Sequence, residues 1–309
     1  MKGLELAKRL YEERARKLFE NELPDLIPQM AVGLVGEGSE CFGFDDEISR
    51  DHDWGPAFCI WLPQEVLAAN SGRLDSVLAE LPRQFEGFEV RMTDPRLRMG
   101  RVGPLPLELF YQRFLNVPRA PENLMEWRRI PEQYLAVATN GEVFQDNLGT
   151  FSAIREKLLA FYPEDLRLKK IAARIMAASQ AGQYNLPRCD FVACDICRAR
   201  FIEAVLSTVF LINRKYVPFY KWAFRAVKQL PLMGMSIAEK LEHLVSLPLM
   251  ETMPEAVAEP VEGICQEIAD HLQSEGLLDS NDPWLFAQGP VVQAHIENNA
   301  LRSMPPQLE

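Results

Sequence analysis

The strongest constraint on this chain's fold is a pair of short apolar runs separated by a segment rich in turn residues. Residues 31–36 and 57–62 are apolar throughout or nearly so, and each run suits a buried strand better than a helix. The connecting segment begins with a turn at Gly38 and Ser39. Glycine lets a backbone approach phosphate closely, and the N–H groups of such a turn can point at an anion. The sequence therefore predicts two buried strands joined by a loop whose first turn can bind an anion.

Two carboxylates, Asp51 and Asp53, stand near the end of this loop. Side chains two residues apart on a strand point to the same side, so we expect both carboxylates to project together at a strand edge. Mg²⁺ prefers oxygen ligands and is usually held by one or two carboxylates together with substrate phosphates. The spacing therefore predicts a magnesium site at Asp51 and Asp53, with Gly38 and Ser39 binding phosphate.

The same loop carries further polar residues for which a structural role is expected. Asp45 and Asp46 are predicted to be solvated or to stabilise the loop, and His52 is predicted to face away from the metal site. Glycine and aspartate are common in loops because both favour turns. Extra acids near a phosphate are unfavourable unless a cation offsets them, either Arg50 or an additional metal ion.

A third carboxylate is expected from a neighbouring strand. Glu108 is the first candidate, because it lies within the apolar segment 105–111, which we predict to be a strand. A buried carboxylate is costly unless it is paired or binds a metal. Glu89 and Asp94 are alternatives, and Glu108 on the solvent face of an edge strand remains open.

The hydrophobic pattern predicts two domains. The first, 1–146, combines an N-terminal helix with strands near 31–36, 57–62 and 87–92 and a helix near 64–81, which indicates an α/β (α+β) domain with a small mixed sheet. Beyond about residue 150 the apolar residues repeat at helical spacing, so 147–309 is predicted to be an all-α helical domain.

Charge is distributed unevenly along the chain. Residues 151–230 carry 14 Lys and Arg against 6 Asp and Glu, whereas the remaining residues carry 19 against 38. A chain that is acidic overall binds nucleic acid poorly, so we do not expect a long nucleic acid as a partner. The basic segment suits either a triphosphate-binding cleft or packing against acidic parts of the same chain.

The basic segment offers candidates for nucleotide contacts. Lys221 could reach a phosphate as a point charge, and Trp222 or Tyr220 could stack on a base. Lys170 and Arg188 could add positive charge. Alternatively, the aromatic side chains belong to the core and Lys221 extends to water.

Composition indicates a cytoplasmic protein with reduced thiols. No apolar stretch approaches the length of a membrane span, and the charged N-terminus does not resemble a signal peptide. The six cysteines do not suggest a disulfide scaffold in a chain of this length. The group Cys189, Cys194 and Cys197 lacks a second ligand pair for zinc, and Cys41 is the thiol whose reactivity we would test.

The Gly-Ser turn followed by Asp-X-Asp resembles the polymerase-beta-type nucleotidyltransferase superfamily. The run GSECFGFDDEISRDHDWGP resembles an uncharacterised branch, domain of unknown function 4037, more closely, and so do the segments at 127–146, 160–165 and 211–222. The resemblance implies a nucleotidyltransferase-like first domain and an active site in the cleft between the domains. It also implies two Mg²⁺ ions held by Asp51, Asp53 and a third acid such as Glu108.

We therefore expect a Mg²⁺-dependent enzyme that transfers a nucleoside monophosphate, AMP from ATP in the first instance, to a hydroxyl acceptor. The nucleoside triphosphate is the substrate, and the acceptor is a small molecule or a protein. Gly38, Ser39 and Lys221 would contact the nucleotide. The alternatives are a catalytically inactive nucleotide-binding regulator and an interaction or toxin-type protein.

Overall fold

A computed structural model describes residues 1–50, 54–188, 190–247 and 254–309 of the chain. The chain forms two compact units, Met1–Ala160 and Phe161–Glu309. Within the described ranges, no helix combines the length and apolar character that crossing a membrane requires.

The first unit opens with helical segments and then alternates strands with helices. Its elements, in chain order, are α1 (Gly3–Leu10), a π-helical turn (Tyr11–Ala15), α2 (Arg16–Glu22), a 3₁₀ turn (Ile27–Gln29), β1 (Ala31–Leu34), a 3₁₀ turn (Ile48–Arg50), β2 (Cys59–Leu62), α3 (Gln64–Leu78), β3 (Gln84–Phe85), β4 (Phe88–Glu89), α4 (Pro95–Arg98), β5 (Gly103–Pro106), α5 (Leu107–Leu115), α6 (Leu124–Arg128), α7 (Glu132–Thr139), β6 (Glu142–Asp146) and α8 (Thr150–Leu159).

Four of these strands form one mixed sheet in the order β5-β2-β1-β6. β2 and β5 are parallel and are joined through α3 and the β3–β4 hairpin, whereas β1 is antiparallel to both β2 and β6. The expected α+β arrangement with a small mixed sheet is confirmed.

Aromatic packing fills the space between the sheet and its helices. Every residue of β1 and β2 is buried. The Trp61 ring on β2 stacks on Phe151 of α8 with centroids 4.0 Å apart and meets Phe110 of α5 edge-on at 5.4 Å. Such ring pairs contribute about 0.5–1.5 kcal/mol beyond the area that they bury. These contacts hold α5 and α8 against the centre of the sheet.

The segment 105–111, predicted as a strand, is divided between two elements. β5 ends at Pro106 and α5 begins at Leu107, so the strand prediction for Glu108 is wrong. The buried residues of α5 include Leu107, Phe110 and Phe114, which repeat at helical spacing. Within 105–111 the apolar residues fit both strand alternation and helical spacing, and Phe114 beyond that segment distinguishes the two.

The strand β6 lies in a segment for which the sequence predicts no strand. β6 pairs with β1 and closes one edge of the sheet, with a register irregularity between Val32 and Gly33. The chain enters β6 through Gly141, whose φ is +59°. A Cβ at this position would lie 1.9 Å from the Leu34 carbonyl oxygen. Glycine is therefore required here both for its backbone angle and for the close approach of β1.

In the second unit, the described residues form helices and turns. Its elements are α9 (Glu164–Ala178), a π-helical segment (Ser179–Asn185), a 3₁₀ turn (Leu186–Arg188), α10 (Phe191–Ile212), α11 (Tyr220–Val227), α12 (Gly234–Ser246), α13 (Pro254–Ser274), α14 (Leu285–Ala294) and α15 (Asn299–Arg302).

Helix α9 is the central element of this unit and packs against α10 and α14. Most of its residues are buried, including the charged side chains of Arg167, Lys169 and Lys170. Charged groups at the centre of a helical unit must be paired or hydrogen-bonded, because burying an unpaired charge is costly.

Gly141→Ala is expected to destabilise the first unit more than Gly149→Ala. Both glycines have positive φ, but a Cβ at Gly149 would meet no atom within 4 Å. We expect a cost of about 1 kcal/mol at Gly149 from the backbone angle alone, and about 1–3 kcal/mol more at Gly141 from the clash. Urea titration, monitored by hydrogen exchange of β1 and β6 peptides, measures the loss in free energy of unfolding for each variant. Equal losses would contradict the close approach of β1 to Gly141.

Candidate functional site

The turn after β1 is held by consecutive backbone hydrogen bonds. Amides within residues 41–44 donate to the carbonyl oxygens of Gly38 and Ser39 at 2.9–3.2 Å. Within the part of the chain that the structure describes, the amides of Gly38 and Ser39 themselves donate no hydrogen bond. They resemble the first amides of a helix, which have no internal acceptor and can donate to an anion.

Side-chain and backbone bonds fix this turn against the corner that precedes β6. Asn140 donates from Nδ2 to the Gly36 carbonyl oxygen at 2.7 Å and accepts from the Gly36 amide at 3.2 Å. The Gly141 amide donates to the Cys41 carbonyl oxygen at 2.8 Å. The turn is thus anchored both at its start and within it, which restricts its backbone before any ligand arrives.

Asp45 anchors the loop beyond the turn. Its carboxylate is buried and accepts hydrogen bonds from the Gly3 amide at 2.8 Å and from Trp54 Nε1 at 3.2 Å, while the Lys2 ammonium lies 3.4 Å away. Because Gly3 is the first residue of α1, Asp45 caps that helix from a distant part of the chain. Asp45 therefore stabilises the loop, which is one of the two roles expected for it.

Asp46 stabilises the next turn. It accepts from the Ser49 amide at 3.0 Å, and its own amide donates to Ser49 Oγ at 2.8 Å. This reciprocal pair has the logic of a capping box and begins the 3₁₀ turn Ile48–Arg50. Asp46 too has the loop-stabilising role that the sequence left open.

Asp51 and Asp53, with His52 between them, lie outside the described residues. The residues on either side are in contact, since the Arg50 guanidinium carbon lies 4.5 Å from the Trp54 ring centroid. Through Trp54 and Asp45, the chain that leads into β2 is tied to the loop that follows β1. The metal-binding role of Asp51 and Asp53 stays a prediction.

Glu40 is a candidate site residue that no sequence pattern predicts. It is half-buried, and its carboxylate folds back over the turn so that a Cβ at Gly38 would lie 2.3 Å from Oε1. Burial raises the pKa of the Glu40 carboxyl above its ordinary value of 4.5, and the charge of Asp45 adds to this rise. Its position directly after Ser39 is the signal in the sequence that could have identified it.

Two arginines provide positive charge around Glu40. Arg91 and Arg101 both act to lower the Glu40 pKa, against the larger effect of burial. Arg91 is only 8% exposed, and its Nε donates to the Leu97 carbonyl oxygen at 3.2 Å. Neither arginine stands out in the sequence, because each lies more than 50 residues from Glu40.

An apolar pocket of about 170 Å³ adjoins the start of the turn. Phe110 and Phe114 of α5 contribute aromatic surface to it, and Leu109 is half exposed there. The other lining residues are Val35, Gly36, Glu37, Gly100, Arg101, Leu105, Pro106 and Arg113. Arg113 forms an ion pair with Glu37. The pocket offers an apolar surface with charged groups in its lining.

Glu108 lies at the other end of β2 from the turn. The chain reaches Glu108 just after Pro106, which pairs with Leu62 at the end of β2. The turn instead follows β1, whose Gly33 pairs with Cys59 at the start of β2. Glu108 Oε2 accepts from the Gln64 amide at 3.0 Å, which caps the start of α3. Glu108 therefore already has a structural partner, and its catalytic role stays a prediction.

The other acids considered for this role occupy exposed or capping positions. Glu89 is exposed on β4. Asp94 caps α4 by accepting from the Arg96 amide at 2.8 Å and pairs with the Arg96 guanidinium, which lowers the pKa of the Asp94 carboxyl. Asp94 thus has a local structural role.

In the second unit, Lys221 and its aromatic neighbours lie at the start of α11. Trp222 is 9% exposed and Tyr220 is 88% exposed. Lys221 Nζ lies 4.4 Å from the Trp222 ring centroid, a cation–π contact on an exposed face. Trp222 therefore belongs to the core, and phosphate contact by Lys221 stays a prediction.

The thiols show the properties of buried structural residues. Burial raises the pKa of Cys41 well above its ordinary range and that of Cys59 to about 12, so neither thiol ionises readily at neutral pH. Cys194 is buried, Cys197 is half-buried and Cys189 lies outside the described residues. Among the residues that the structure describes, no three His, Cys, Asp or Glu side chains are grouped to hold a metal ion.

Glu40→Gln is expected to stabilise the first unit at pH 7. Because the folded pKa of Glu40 is raised, the wild type loses stability as the pH rises from the unfolded pKa through the folded pKa. Because glutamine does not ionise, the variant does not lose stability in this way. Its higher free energy of unfolding relative to the wild type should therefore disappear below about pH 4.5. Urea unfolding of both proteins from pH 4 to pH 8 measures it, with the exposed Glu89→Gln as control. A gain in stability that does not depend on pH would contradict a raised pKa of Glu40.

Comparison with known proteins identifies one domain. Residues 127–223 match the family model described as Domain of unknown function (DUF4037). Searches of the curated proteins and of the solved structures each find no significant match. The matched segment includes α7, β6, α8, α9 and α10 but neither the Gly-Ser turn nor residues 51–53, and the domain's description assigns no activity. This part of the chain thus corresponds to an uncharacterised domain.

Proposed function

We propose that this chain is a Mg²⁺-dependent nucleotidyltransferase that transfers AMP from ATP to a hydroxyl acceptor. One observation carries the proposal. β1 and β2 are antiparallel, so the end of β1, which leads into the turn at Gly38 and Ser39, lies beside the start of β2. In the sequence, β2 begins shortly after Asp51 and Asp53. This order of strand, turn, acid pair and antiparallel strand is what the resemblance to the polymerase-beta-type superfamily implies, and it supports a nucleotidyltransferase-like fold for the first unit.

The side chains that follow the turn in the sequence are of the kind that bind a magnesium ion. Asp51 and Asp53 would supply carboxylate oxygens, and the phosphates of the nucleotide would complete the ligand set. Glu40 supports this fit, because its carboxylate lies over the proposed phosphate-binding turn in a site that resists its ionisation. A carboxylate beside a phosphate is tolerated when a cation lies between them or when it is protonated.

The chain's own residues would position the substrates and manage charge. The amides of Gly38 and Ser39 would donate to phosphate oxygens, and Arg91 and Arg101 would offset their negative charge. The acceptor oxygen would attack the α-phosphorus, the bond to pyrophosphate would break, and a carboxylate would accept the hydroxyl proton. Bound magnesium would neutralise charge on the attacking and leaving oxygens.

For the third carboxylate we favour Glu40 over Glu108. Glu40 belongs to the turn itself, and no ion pair of its carboxylate is found among the described residues. Glu108 lies at the far end of β2 and caps α3. Glu108 remains the alternative, because its capping bond can be broken at a modest cost of about 1 kcal/mol.

The acceptor is proposed to be a small molecule or a protein side chain. The apolar pocket beside Gly36 suits the apolar part of such an acceptor, with Phe110 and Phe114 as its aromatic surface. The overall acidic charge of the chain disfavours a long nucleic acid.

The double variant Asp51→Asn/Asp53→Asn should lose Mg²⁺-dependent binding of ATP. Calorimetric titration of each nucleoside triphosphate, with and without Mg²⁺, measures this loss. Asp25→Asn is the matched control, because Asp25 is an exposed acid of the same unit paired with Arg73. Binding without transfer to any acceptor would favour an inactive regulator. No binding by the folded wild type, or binding that the double variant retains, would refute the proposal.

Glu40→Gln should lower the rate of nucleotide transfer by about 100-fold or more while weakening ATP binding less, as expected for a group that acts on the reacting atoms. Glu108→Gln and Glu89→Gln are compared in the same assay of pyrophosphate release. A large loss of turnover in Glu108→Gln with activity retained in Glu40→Gln would restore Glu108 as the third carboxylate. A loss of turnover confined to Glu89→Gln would exclude both Glu40 and Glu108 as the third carboxylate.

A further inference from the structure

Helix α9 carries two adjacent buried lysines with different surroundings. Lys169 is 0% exposed, and its ammonium donates to Gln293 Oε1 at 2.6 Å and to the carbonyl oxygens of Met304 and Pro305 at 3.2 and 2.7 Å. Three donors thus meet three acceptors, which satisfies the group. Lys169 therefore holds the segment 303–309 against α9 and has a structural role.

The neighbouring positive charges face a single carboxylate of that segment. Lys170, 4% exposed, and Arg174, one turn later on α9, both contact Glu309. Arg174 Nη2 lies 2.6 Å from one carboxylate oxygen, and Lys170 Nζ lies 3.6 Å from the other. Glu309 is thus an anion bound between two cations.

This anion engages the two cations incompletely. Arg174 Nε and Glu309 Oε2 are both buried and find no hydrogen-bond partner among the described residues. An arginine can bind an anion with two parallel N–H donors, but here Nη2 approaches Glu309 while Nε has no hydrogen-bond partner among the described residues. A phosphate group carries more oxygens and more charge than a carboxylate, so it could engage Arg174 through two donors and Lys170 at the same time.

Space for a larger ligand adjoins Arg174. A cavity of about 300 Å³ is lined by Arg174, Arg200, Gln180, Asn185 and other residues, with Glu203 as its acid. Gln180 and Asn185 belong to the π-helical segment Ser179–Asn185 that follows α9. Such segments are rare and often accompany functional sites. The cavity thus offers amide and guanidinium groups next to the cations that Glu309 occupies.

We propose that the second unit binds a phosphate-bearing small molecule at Lys170 and Arg174, in competition with the Glu309 carboxylate. The phosphate group replaces Glu309 between the two cations, and the rest of the ligand occupies the cavity lined by Gln180, Asn185 and Arg200. The 303–309 segment, held by Lys169, keeps the competing carboxylate close to the site.

The test uses the full chain carrying Asp51→Asn/Asp53→Asn, with EDTA present, so that the proposed nucleotide site does not contribute. Inorganic phosphate and pyrophosphate are the probes, and calorimetry gives their affinities. Adding Glu309→Gln should tighten binding roughly tenfold, since it removes the competing charge of one part-buried ion pair. Arg174→Gln in the Glu309→Gln background should remove the binding.

Glu242→Gln and Lys228→Gln are matched controls, because these residues form a 2.6 Å ion pair elsewhere in the same unit. Neither control should change the affinity. Hydrogen exchange of α9 peptides establishes that each variant is folded. The proposal is overturned if Glu309→Gln binds neither probe, if Glu242→Gln tightens binding equally, or if folded Arg174→Gln retains it. These outcomes leave the nucleotide site of the first unit untouched, so the two proposals can fail separately.

Discussion

The buried carboxylate of Asp45 is the constraint on which the candidate site depends. It joins the amide of Gly3 at the start of α1, the indole of Trp54 and the ammonium of Lys2. A buried carboxylate that lost these partners would be costly, so the loop that carries it has little freedom. Together with the Asn140 bonds at its start, Asp45 fixes the turn before a ligand binds. Such preorganisation is what binding a phosphate through backbone amides requires.

Structural residues and candidate binding residues differ in how their buried charged groups are paired and hydrogen-bonded. Lys169 has its hydrogen-bonding capacity met by neighbours within its own unit, and Asp45 accepts two hydrogen bonds at one oxygen while the Lys2 ammonium lies 3.4 Å from the other. Glu40 instead carries a raised pKa, and Arg174 has a buried N–H without a partner among the described residues. Groups held in this incompletely satisfied state reduce the stability of the free protein and are the ones that a ligand can stabilise.

Local pattern predicted the elements whose period is complete within a short window. The runs at 31–36 and 57–62 contain the buried strands β1 and β2, and the described residues of the second unit form helices and turns. The pattern failed at Glu108, because the apolar residues of 105–111 fit strand alternation as well as helical spacing, and Phe114, which supports the helix, lies beyond that segment. It also missed β6, whose pairing with β1 joins residues more than 100 positions apart.

The sequence by itself determined the class of the fold and the order of the Gly38-Ser39 turn and the acid pair, since both depend on neighbours along the chain. Tertiary structure decided which charged groups meet. Arg91 approaches Glu40, and Glu309 reaches Arg174, across long separations that no local pattern encodes. Burial then decided their chemistry, because the free energy of a charge depends on the solvent and partners around it.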